Sequence, residues 1–353
     1  MDTIRNWFLR HLNNPQVVGL AILLIAGFAL IMTLGDMLAP VLASLVIAYL
    51  LEGLVRLLEQ RGVRRILAVT LVFTVFLAVL MFMLLGILPR LSNQITQLIQ
   101  QFPDMVARGH EKLLLLPQKY PNFIAEEQIT QMIAAIRTEV GSFGQRVLSL
   151  SVASLVGLIT FMVYVILVPM LVFFFLKDKS SIVGWFTSYL PRERALSAMV
   201  WADVDRQIGN YVRGKVWEIF IVGGVTYIMF VLMGLQYAVL LATLVGLSVI
   251  IPYIGALVVT IPVGLIAYFQ WGWTGDFAWL MVGYLIIQAL DGNVLVPLLF
   301  SEVVNLHPIA IIVSVLLFGG IWGFWGVFFA IPLATLVQAV LKAWPKALEA
   351  EAG

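Results

Sequence analysis

Apolar runs of roughly 20 residues, the length that a helix needs to cross a bilayer, fill most of this chain. Clear runs cover 17–35, 37–58, 66–88, 147–176 and 216–235, while Pro, Gly and a few polar residues interrupt three others at 237–269, 277–300 and 303–341. The 353 residues are 62% hydrophobic and 11% charged, which is far from a soluble globular composition. The pattern predicts an all-α polytopic membrane protein with about seven or eight transmembrane or re-entrant helices. For 237–269 and 303–341, both a full span and a re-entrant hairpin fit.

Basic residues predict the topology, because short loops rich in Lys and Arg stay in the cytoplasm. They precede the first run, separate the second from the third and the fourth from the fifth, and follow the last. Both termini are therefore expected in the cytoplasm, with the first apolar run retained as a span. The predicted regions are the N-terminal transmembrane helices at 1–89, a periplasmic amphipathic segment at 90–146, a transmembrane helix at 147–176, a cytoplasmic amphipathic helix at 177–215, a C-terminal transmembrane core with broken or re-entrant helices at 216–341, and a cytoplasmic tail at 342–353.

The outer segment 90–146 has apolar residues at helical spacing in two stretches, around 91–102 and 129–140. Pro117 and Pro121 are expected to break the helix between them. These helices either lie on the membrane or pack on each other, or they form a lid or an oligomer contact.

The C-terminal core has no Lys or Arg from Val216 to Leu341, yet it keeps the acidic residues Glu218, Asp276, Asp291 and Glu302. A carboxylate in a bilayer is costly and marks a functional candidate. Glu218, at the start of a span, is expected to be interfacial, and Asp276 is expected to be structural. Another acid, Glu52, is one turn before Arg56 and is expected to pair with it.

Asp291-Gly292-Asn293 consists of residue types typical of turns but lies inside an apolar run, and Pro297 follows it. The pattern predicts a helix interrupted partway, as in transporters that build substrate and ion sites from discontinuous helices. Glu302, Asn305 and His307 follow on a connection that is either part of this site or an exposed loop.

Two more interruptions lie in the same region. Pro252, Tyr253 and Gly255 interrupt one apolar run and are expected to shape the facing half-helix. The other interruption, at 318–332, contains four glycines and Pro332, for which close helix packing is the simpler interpretation. The candidate substrate or ion site comprises Asp291, Asn293, Glu302, Asn305, His307, Pro252, Tyr253 and Gly255.

Signatures of catalysis are missing from the sequence: it has no HExxH, GxSxG or phosphate-binding loop. Cysteine is also absent, which excludes disulfides and thiolate metal sites. We therefore expect no enzymatic activity, no catalytic residues, no cofactor, no metal site and no nucleic-acid partner.

Five segments resemble one family over nearly the whole chain: LKDKS at 176–180, DRQIGNYVRGKVWE at 205–218, IPYIGALVVTIP at 251–262, QALDGNVLVPLLFSEVVNLHP at 288–308 and LLFGGIWGFWGVFFAIPLATL at 316–336. In order and spacing they resemble the AI-2E family of bacterial inner-membrane permeases, most closely its PerM-type branch. The resemblance implies a multi-pass inner-membrane protein with an outer insertion and a homo-oligomeric state, a pentamer being one candidate form.

The resemblance also implies transport, either export of an autoinducer-2-like solute or exchange of sodium for protons. Residues and resemblance together predict an ion-coupled secondary transporter of a small molecule or monovalent cation, in which His307 could relay protons. The alternative is a non-transporting oligomeric scaffold or accessory protein that binds partners through the periplasmic segment. A passive channel is a third possibility, but no span has the polar stripe that a pore requires.

Overall fold

The structure, a computed structural model, describes residues 15–119, 154–189, 195–252, 254–300 and 307–338, with the isolated positions 134 and 138. These residues form helices and no strand, which confirms the all-α polytopic class. Five helical segments among them are long and apolar enough to cross a membrane: Met37–Gln60, Arg65–Met105, Asp205–Leu232, Ile254–Trp271 and Gly275–Phe300. A bent pair, Phe161–Lys177 with Lys179–Ser188, makes a sixth candidate, and Ala238–Ser248 and Ile309–Gly323 are shorter apolar helices.

The N-terminal half contains α1 (Pro15–Gln60), α2 (Arg65–Phe82), a π-helical turn (Met83–Ile87), α3 (Leu88–Lys119), α4 (Ser154–Lys177) and α5 (Lys179–Ser188). The first two predicted spans are not separated in the structure, because α1 continues through Gly35 and Asp36. A single Gly costs a helix only about 1 kcal/mol relative to Ala, so the flanking helix-forming residues can carry α1 through this point.

The third predicted span continues directly into the outer segment, because α2, the π turn and α3 follow one another without a loop. Helix α3 continues through Pro117 to Lys119, and Pro121, the second residue of the predicted break, lies outside the described residues. The predicted second amphipathic helix lies mostly outside the described residues. Polar side chains of α3 bind the start of a later helix: Gln94 Oε1 accepts from the Leu240 amide at 2.8 Å and Gln101 Oε1 from the Tyr237 hydroxyl at 2.7 Å.

The C-terminal half contains α6 (Ala195–Leu232), α7 (Ala238–Ser248), α8 (Ile254–Trp271), α9 (Gly275–Leu290), a second π turn (Asp291–Leu295), α10 (Val296–Phe300) and α11 (Pro308–Phe328), followed by helical residues 330–338. Helix α6 crosses the expected boundary at 215–216 without a break, so the amphipathic segment and the following span are one helix.

Helices α7 and α8 form a hairpin, which we name hairpin 1. Its open end is closed by Gln270, whose side chain accepts from the Gln236 amide and donates to the Gly234 carbonyl, both at 2.8 Å. At its tip, a Cβ added to Gly255 would overlap the Ser248 carbonyl oxygen, so the two arms meet there backbone to backbone. Helix α7 has 11 residues and is about 16 Å long, which is too short to cross a core of about 30 Å. Hairpin 1 therefore has the form expected of a re-entrant hairpin, with one short arm, α7, and one long arm, α8.

The last apolar stretch forms a second hairpin, hairpin 2, from residues 308–338. The chain reverses at Gly323, which has φ 57° and ψ −131°, a conformation that favours glycine. Across the reversal a Cβ at Gly326 would overlap the Phe318 carbonyl, and Ile311 and Ile331 share one buried cluster. Its first arm, 308–322, is about 22 Å long, so this stretch also has the form expected of a re-entrant hairpin.

The two hairpins open towards opposite ends of the apolar part of α6, Asp205–Leu232. Hairpin 1 opens beside Gly234, just after α6 ends, and its tip reaches back towards the middle of α6. The open end of hairpin 2 packs with Tyr211 and Val212, near the start of the apolar part of α6, Asp205–Leu232. Its tip lies beside α1, where the Trp322 and Phe28 rings are 5.0 Å apart. Hairpin 1 thus contributes to the core with α6 and α9, while hairpin 2 packs in a separate buried cluster with α6 and α10.

Candidate functional site

A buried ion pair on α6 lies at the centre of this arrangement. Lys215 and Glu218 are three residues apart, which places them on one face of the helix, and Lys215 Nζ is 2.7 Å from Glu218 Oε2. Their exposed fractions are only 4% and 2%. The expectation that Glu218 is interfacial is therefore wrong. Because the Lys215 side chain points into the protein, the apolar core contains the cation that we expected to be missing.

Lys215 also fixes the tip of hairpin 1. Its Nζ donates to the Val249 carbonyl at 2.7 Å, immediately after the last residue of α7. A cation at the C-terminal end of a helix is favourable, because unpaired carbonyls accumulate there. On its other side, Lys215 Nζ lies 5.3 Å from the centre of the Phe300 ring. One ammonium group thus connects α6, hairpin 1 and α10.

Asp291 faces this pair from the second π turn. It lies close enough to Lys215 and Glu218 to interact with both electrostatically. Within the part of the chain that the structure describes, its buried Oδ1 has no hydrogen-bond partner. The cluster therefore combines two carboxylates with one ammonium group, and it is one negative charge in excess when all three groups are ionised. Such a site favours a proton or a cation over an anion.

The predicted interruption at Asp291-Gly292-Asn293 takes the form of a π turn and not of unwound chain. The Val296 amide donates to the Asp291 carbonyl five residues earlier, which is the π-helical pattern. Pro297 gives the reason: it has no amide hydrogen, and its ring would clash with the carbonyl four residues earlier in a regular helix. Widening the turn avoids that clash and keeps the helix continuous.

Further polar groups lie between α6 and α9, beyond the ion pair. The Phe230 and Tyr284 rings stack with centres 6.4 Å apart, and the two helices run in opposite directions from this contact. Thr226 and Gln288 are each four residues from it and so lie at a similar depth. Among the described residues, Thr226 Oγ1 is buried without a partner. The Tyr284 hydroxyl lies 3.1 Å from Thr260 Oγ1. Polar side chains thus continue from the charged cluster along the α6–α9 contact.

The other predicted site residues fall in different places. Pro252 and Gly255 lie at the tip of hairpin 1, beside the Val249 carbonyl that Lys215 binds. Asn293 is exposed and donates to Ala289 of its own helix at 2.8 Å. His307 is exposed and caps α11, its Nδ1 accepting from the Ile309 amide at 3.2 Å. Tyr253, Glu302 and Asn305 lie outside the described residues. No group of three His, Cys, Asp or Glu in the described ranges could hold a metal ion.

Sequence reasoning missed Lys215 as a site residue. A signal was available, since opposite charges three residues apart at the edge of an apolar run can pair on one face of a helix. The burial of that face could not be predicted from the local sequence. It depends on Val249 and Phe300, which are distant in sequence and belong to other parts of the fold.

The conserved-sequence profile described as "AI-2E family transporter" matches residues 20–346, almost the entire chain. The chain belongs to the AI-2E transporter family. It is 47% identical over 345 residues to PerM of Escherichia coli (strain K12), whose name describes it as a permease, with 98% of each chain covered. It is 27% identical to YueF of Bacillus subtilis (strain 168), named as a transport protein, over 85% of this chain and 82% of that one. AI-2 transport protein TqsA of Escherichia coli is 24% identical, with 92% of each chain covered. These names support membership of a group of membrane transport proteins.

Proposed function

We propose that this AI-2E family member is an ion-coupled secondary transporter of the bacterial inner membrane, acting as a homo-oligomer with a pentamer as one candidate form. The transported species is a small polar solute like autoinducer-2, or sodium exchanged for protons. The observation that carries the proposal is the buried Lys215–Glu218 pair with the half-buried Asp291 beside it, whose buried Oδ1 has no hydrogen-bond partner among the described residues. Buried ionisable groups inside a membrane are costly and are found along ion and proton pathways.

In the proposed mechanism, a proton or monovalent cation occupies Asp291 and removes the excess negative charge of the cluster. Lys215 then has one fewer anionic neighbour. The relative strengths of its hydrogen bonds to Glu218 and to the Val249 carbonyl therefore change. Because Val249 belongs to the tip of hairpin 1, occupancy of Asp291 is transmitted to a re-entrant element. Two hairpins that open towards opposite ends support alternating access, since each can gate one side of a shared site.

The test is transport by the purified protein in proteoliposomes with imposed sodium and proton gradients. Asp291→Asn removes the carboxylate that attracts the coupling ion, and we expect it to reduce gradient-driven flux by about tenfold or more, the loss that ~1.4 kcal/mol of binding energy produces. Asp276→Asn is the matched control, because Asp276 lies exposed in the first turn of α9.

Equal, gradient-driven flux in wild type and Asp291→Asn would overturn the proposed site. If folded wild-type protein gave no flux with either gradient, the scaffold interpretation would be favoured, and the periplasmic segment would then be tested for bound partners.

A further inference from the structure

Helix α5 leaves the bundle at a sharp angle. It begins two residues after α4 ends, and the two helices are bent by 77° relative to each other. If α4 crosses the bilayer near its normal, α5 runs nearly parallel to the membrane surface. The bend follows directly on the apolar run PMLVFFFL, at the point where Lys177, Asp178 and Lys179 begin the polar boundary.

The apolar face of α5 is largely exposed in the part of the chain that the structure describes. Ile182, Trp185, Phe186 and Tyr189 have the i, i+3, i+4, i+7 spacing of one helical stripe. Trp185, Phe186 and Tyr189 are 58%, 61% and 73% exposed. The ring centres are 4.8 Å apart for Trp185 and Phe186 and 5.2 Å for Trp185 and Tyr189, so the three form one aromatic group. Small and polar residues, including Ser180, Gly184 and Thr187, occupy the opposite side.

A basic cluster surrounds the base of α5. Glu52 on α1 binds Lys179 at 2.9 Å and Arg65 at 3.3 Å, and Arg65 also donates to the Leu176 carbonyl at 2.6 Å. These contacts hold the α1–α2 loop against the α4–α5 bend. Together the loop and the bend contain six cations and three acids, a net charge of about +3 (6 − 3): Arg56, Arg61, Arg64, Arg65, Lys177 and Lys179 against Glu52, Glu59 and Asp178.

Part of this positive charge is not engaged within the protein. Arg61, Arg64 and Lys177 are exposed and form no ion pair among the described residues. These three cations lie close to the base of the aromatic stripe. Arg61 follows the end of α1, Arg64 precedes the start of α2 and Lys177 ends α4, and these helix ends all lie at the α4–α5 bend. An aromatic stripe bordered by free cations is the composition of helices that lie in the interface of anionic membranes.

We infer that the α4–α5 bend is a binding site for anionic phospholipid. The stripe of α5 inserts at the boundary between headgroups and acyl chains, and Arg61, Arg64 and Lys177 bind headgroup phosphates. This site is separate from the Lys215 cluster and does not depend on the proposed transport function.

The position of α5 is tested by spin labelling of the full chain in phosphatidylcholine vesicles with and without phosphatidylglycerol. The natural absence of cysteine allows single-cysteine variants without background. Labels at Phe186→Cys and Tyr189→Cys are expected to be more accessible to oxygen than to a water-soluble nickel complex. Ser180→Cys and Thr187→Cys, on the opposite side, are expected to show the reverse. Equal accessibility on both sides would overturn the insertion of α5.

The lipid preference is tested with a fluorophore at Phe186→Cys, quenched by brominated phosphatidylglycerol or brominated phosphatidylcholine. We expect stronger quenching by the anionic lipid, and a preference that falls by up to about fivefold for each of the cations Arg61, Arg64 and Lys177 changed to Gln. Arg90→Gln, on exposed α3, is the matched control and is expected to keep the preference. Equal quenching by both lipids would overturn the proposal, as would a cross-link between copies through Phe186→Cys that excludes both lipids.

Discussion

At the scale of single residues, the buried Lys215–Glu218 pair has the largest energetic consequence. Two charges taken out of water gain little net stability when paired, but one of them left alone is strongly destabilising. We therefore expect Lys215→Met to lower the free energy of unfolding by about 3–5 kcal/mol, because Glu218 and Asp291 would remain without their cation. Unfolding in detergent, followed by intrinsic fluorescence against added denaturant, measures this change.

The double variant Lys215→Met with Glu218→Leu is the control for this interpretation. Both charges are then replaced by apolar groups of similar size, so the double variant is expected to be more stable than Lys215→Met alone. A double variant whose stability loss equals the sum of the two single losses would mean that the two residues do not act as a pair.

A second prediction at the scale of single residues concerns Gly255. A Cβ at this position would overlap the Ser248 carbonyl, so Gly255→Ala must separate the arms of hairpin 1 or strain them. We expect a loss of about 1–3 kcal/mol, the usual cost of overpacking. Gly292→Ala is the matched control, because no atom beyond its own helix lies within 4 Å of the added Cβ. Thermal unfolding of both variants in the same detergent tests the difference, and equal melting temperatures would contradict it.

At the scale of secondary-structure elements, the two π turns share one cause. Met83–Ile87 is followed by Pro89, and Asp291–Leu295 is followed by Pro297, in each case two residues after the turn ends. Each turn also contains a glycine, Gly86 or Gly292. A proline at this position needs the carbonyl four residues earlier to move away, and the wider turn provides the room. Only the second turn carries a carboxylate.

Replacing each proline tests whether the wide geometry of the second π turn is needed for transport. Pro297→Ala supplies an amide for a regular helical bond and removes the reason for the wide turn, so Asp291 is expected to rotate away from Lys215. Gradient-driven flux should fall, while stability should hold or rise, since proline in a helix interior costs about 3 kcal/mol. Pro89→Ala makes the same change at the other turn and is expected to leave flux intact. Flux assays and unfolding of both variants decide this, and unchanged flux in Pro297→Ala would count against it.

The elements differ in how far the sequence could predict them. The apolar runs predicted the positions of nearly every membrane helix. A helix in lipid needs mainly a sufficient length and an apolar composition, and both can be read from the sequence. Pro252 and Gly255 lie at a chain reversal where their apolar run was predicted to be interrupted. The reversal at Gly323 was not predicted, because close helix packing was the simpler interpretation of its glycines. Gly35 and Pro117 did not end their helices, because one unfavourable residue is outweighed by its neighbours. The partners of Lys215 could not be predicted, because they depend on how distant helices pack.

At the scale of the whole molecule, the length of α1 raises a question of topology. Its 46 residues are about 69 Å long, more than twice the thickness of the hydrocarbon core. Residues 17–34 are almost wholly apolar, so water is an unfavourable environment for the excess length. Either α1 bends near Gly35 and returns through the bilayer, which keeps both of its ends in the cytoplasm, or it crosses once and its apolar excess is covered by another subunit.

Cysteine accessibility distinguishes these two topologies in the full-length protein, which has no cysteine of its own. Because basic residues flank both ends of α1 and follow the last apolar stretch, we expect Asp2→Cys, Gln60→Cys and Ala350→Cys to be protected from a membrane-impermeant maleimide in intact cells. The same three variants should react in inverted vesicles, and Ala125→Cys, in the outer segment, should show the opposite pattern. Reaction of Asp2→Cys in intact cells, with Gln60→Cys still protected, would instead mean that α1 crosses once and that the N-terminus is outside. That outcome would leave the Lys215 cluster unchanged but would reverse the expected side of residues 1–14. It would also make the exposed apolar part of α1 the first surface to examine for contacts between subunits.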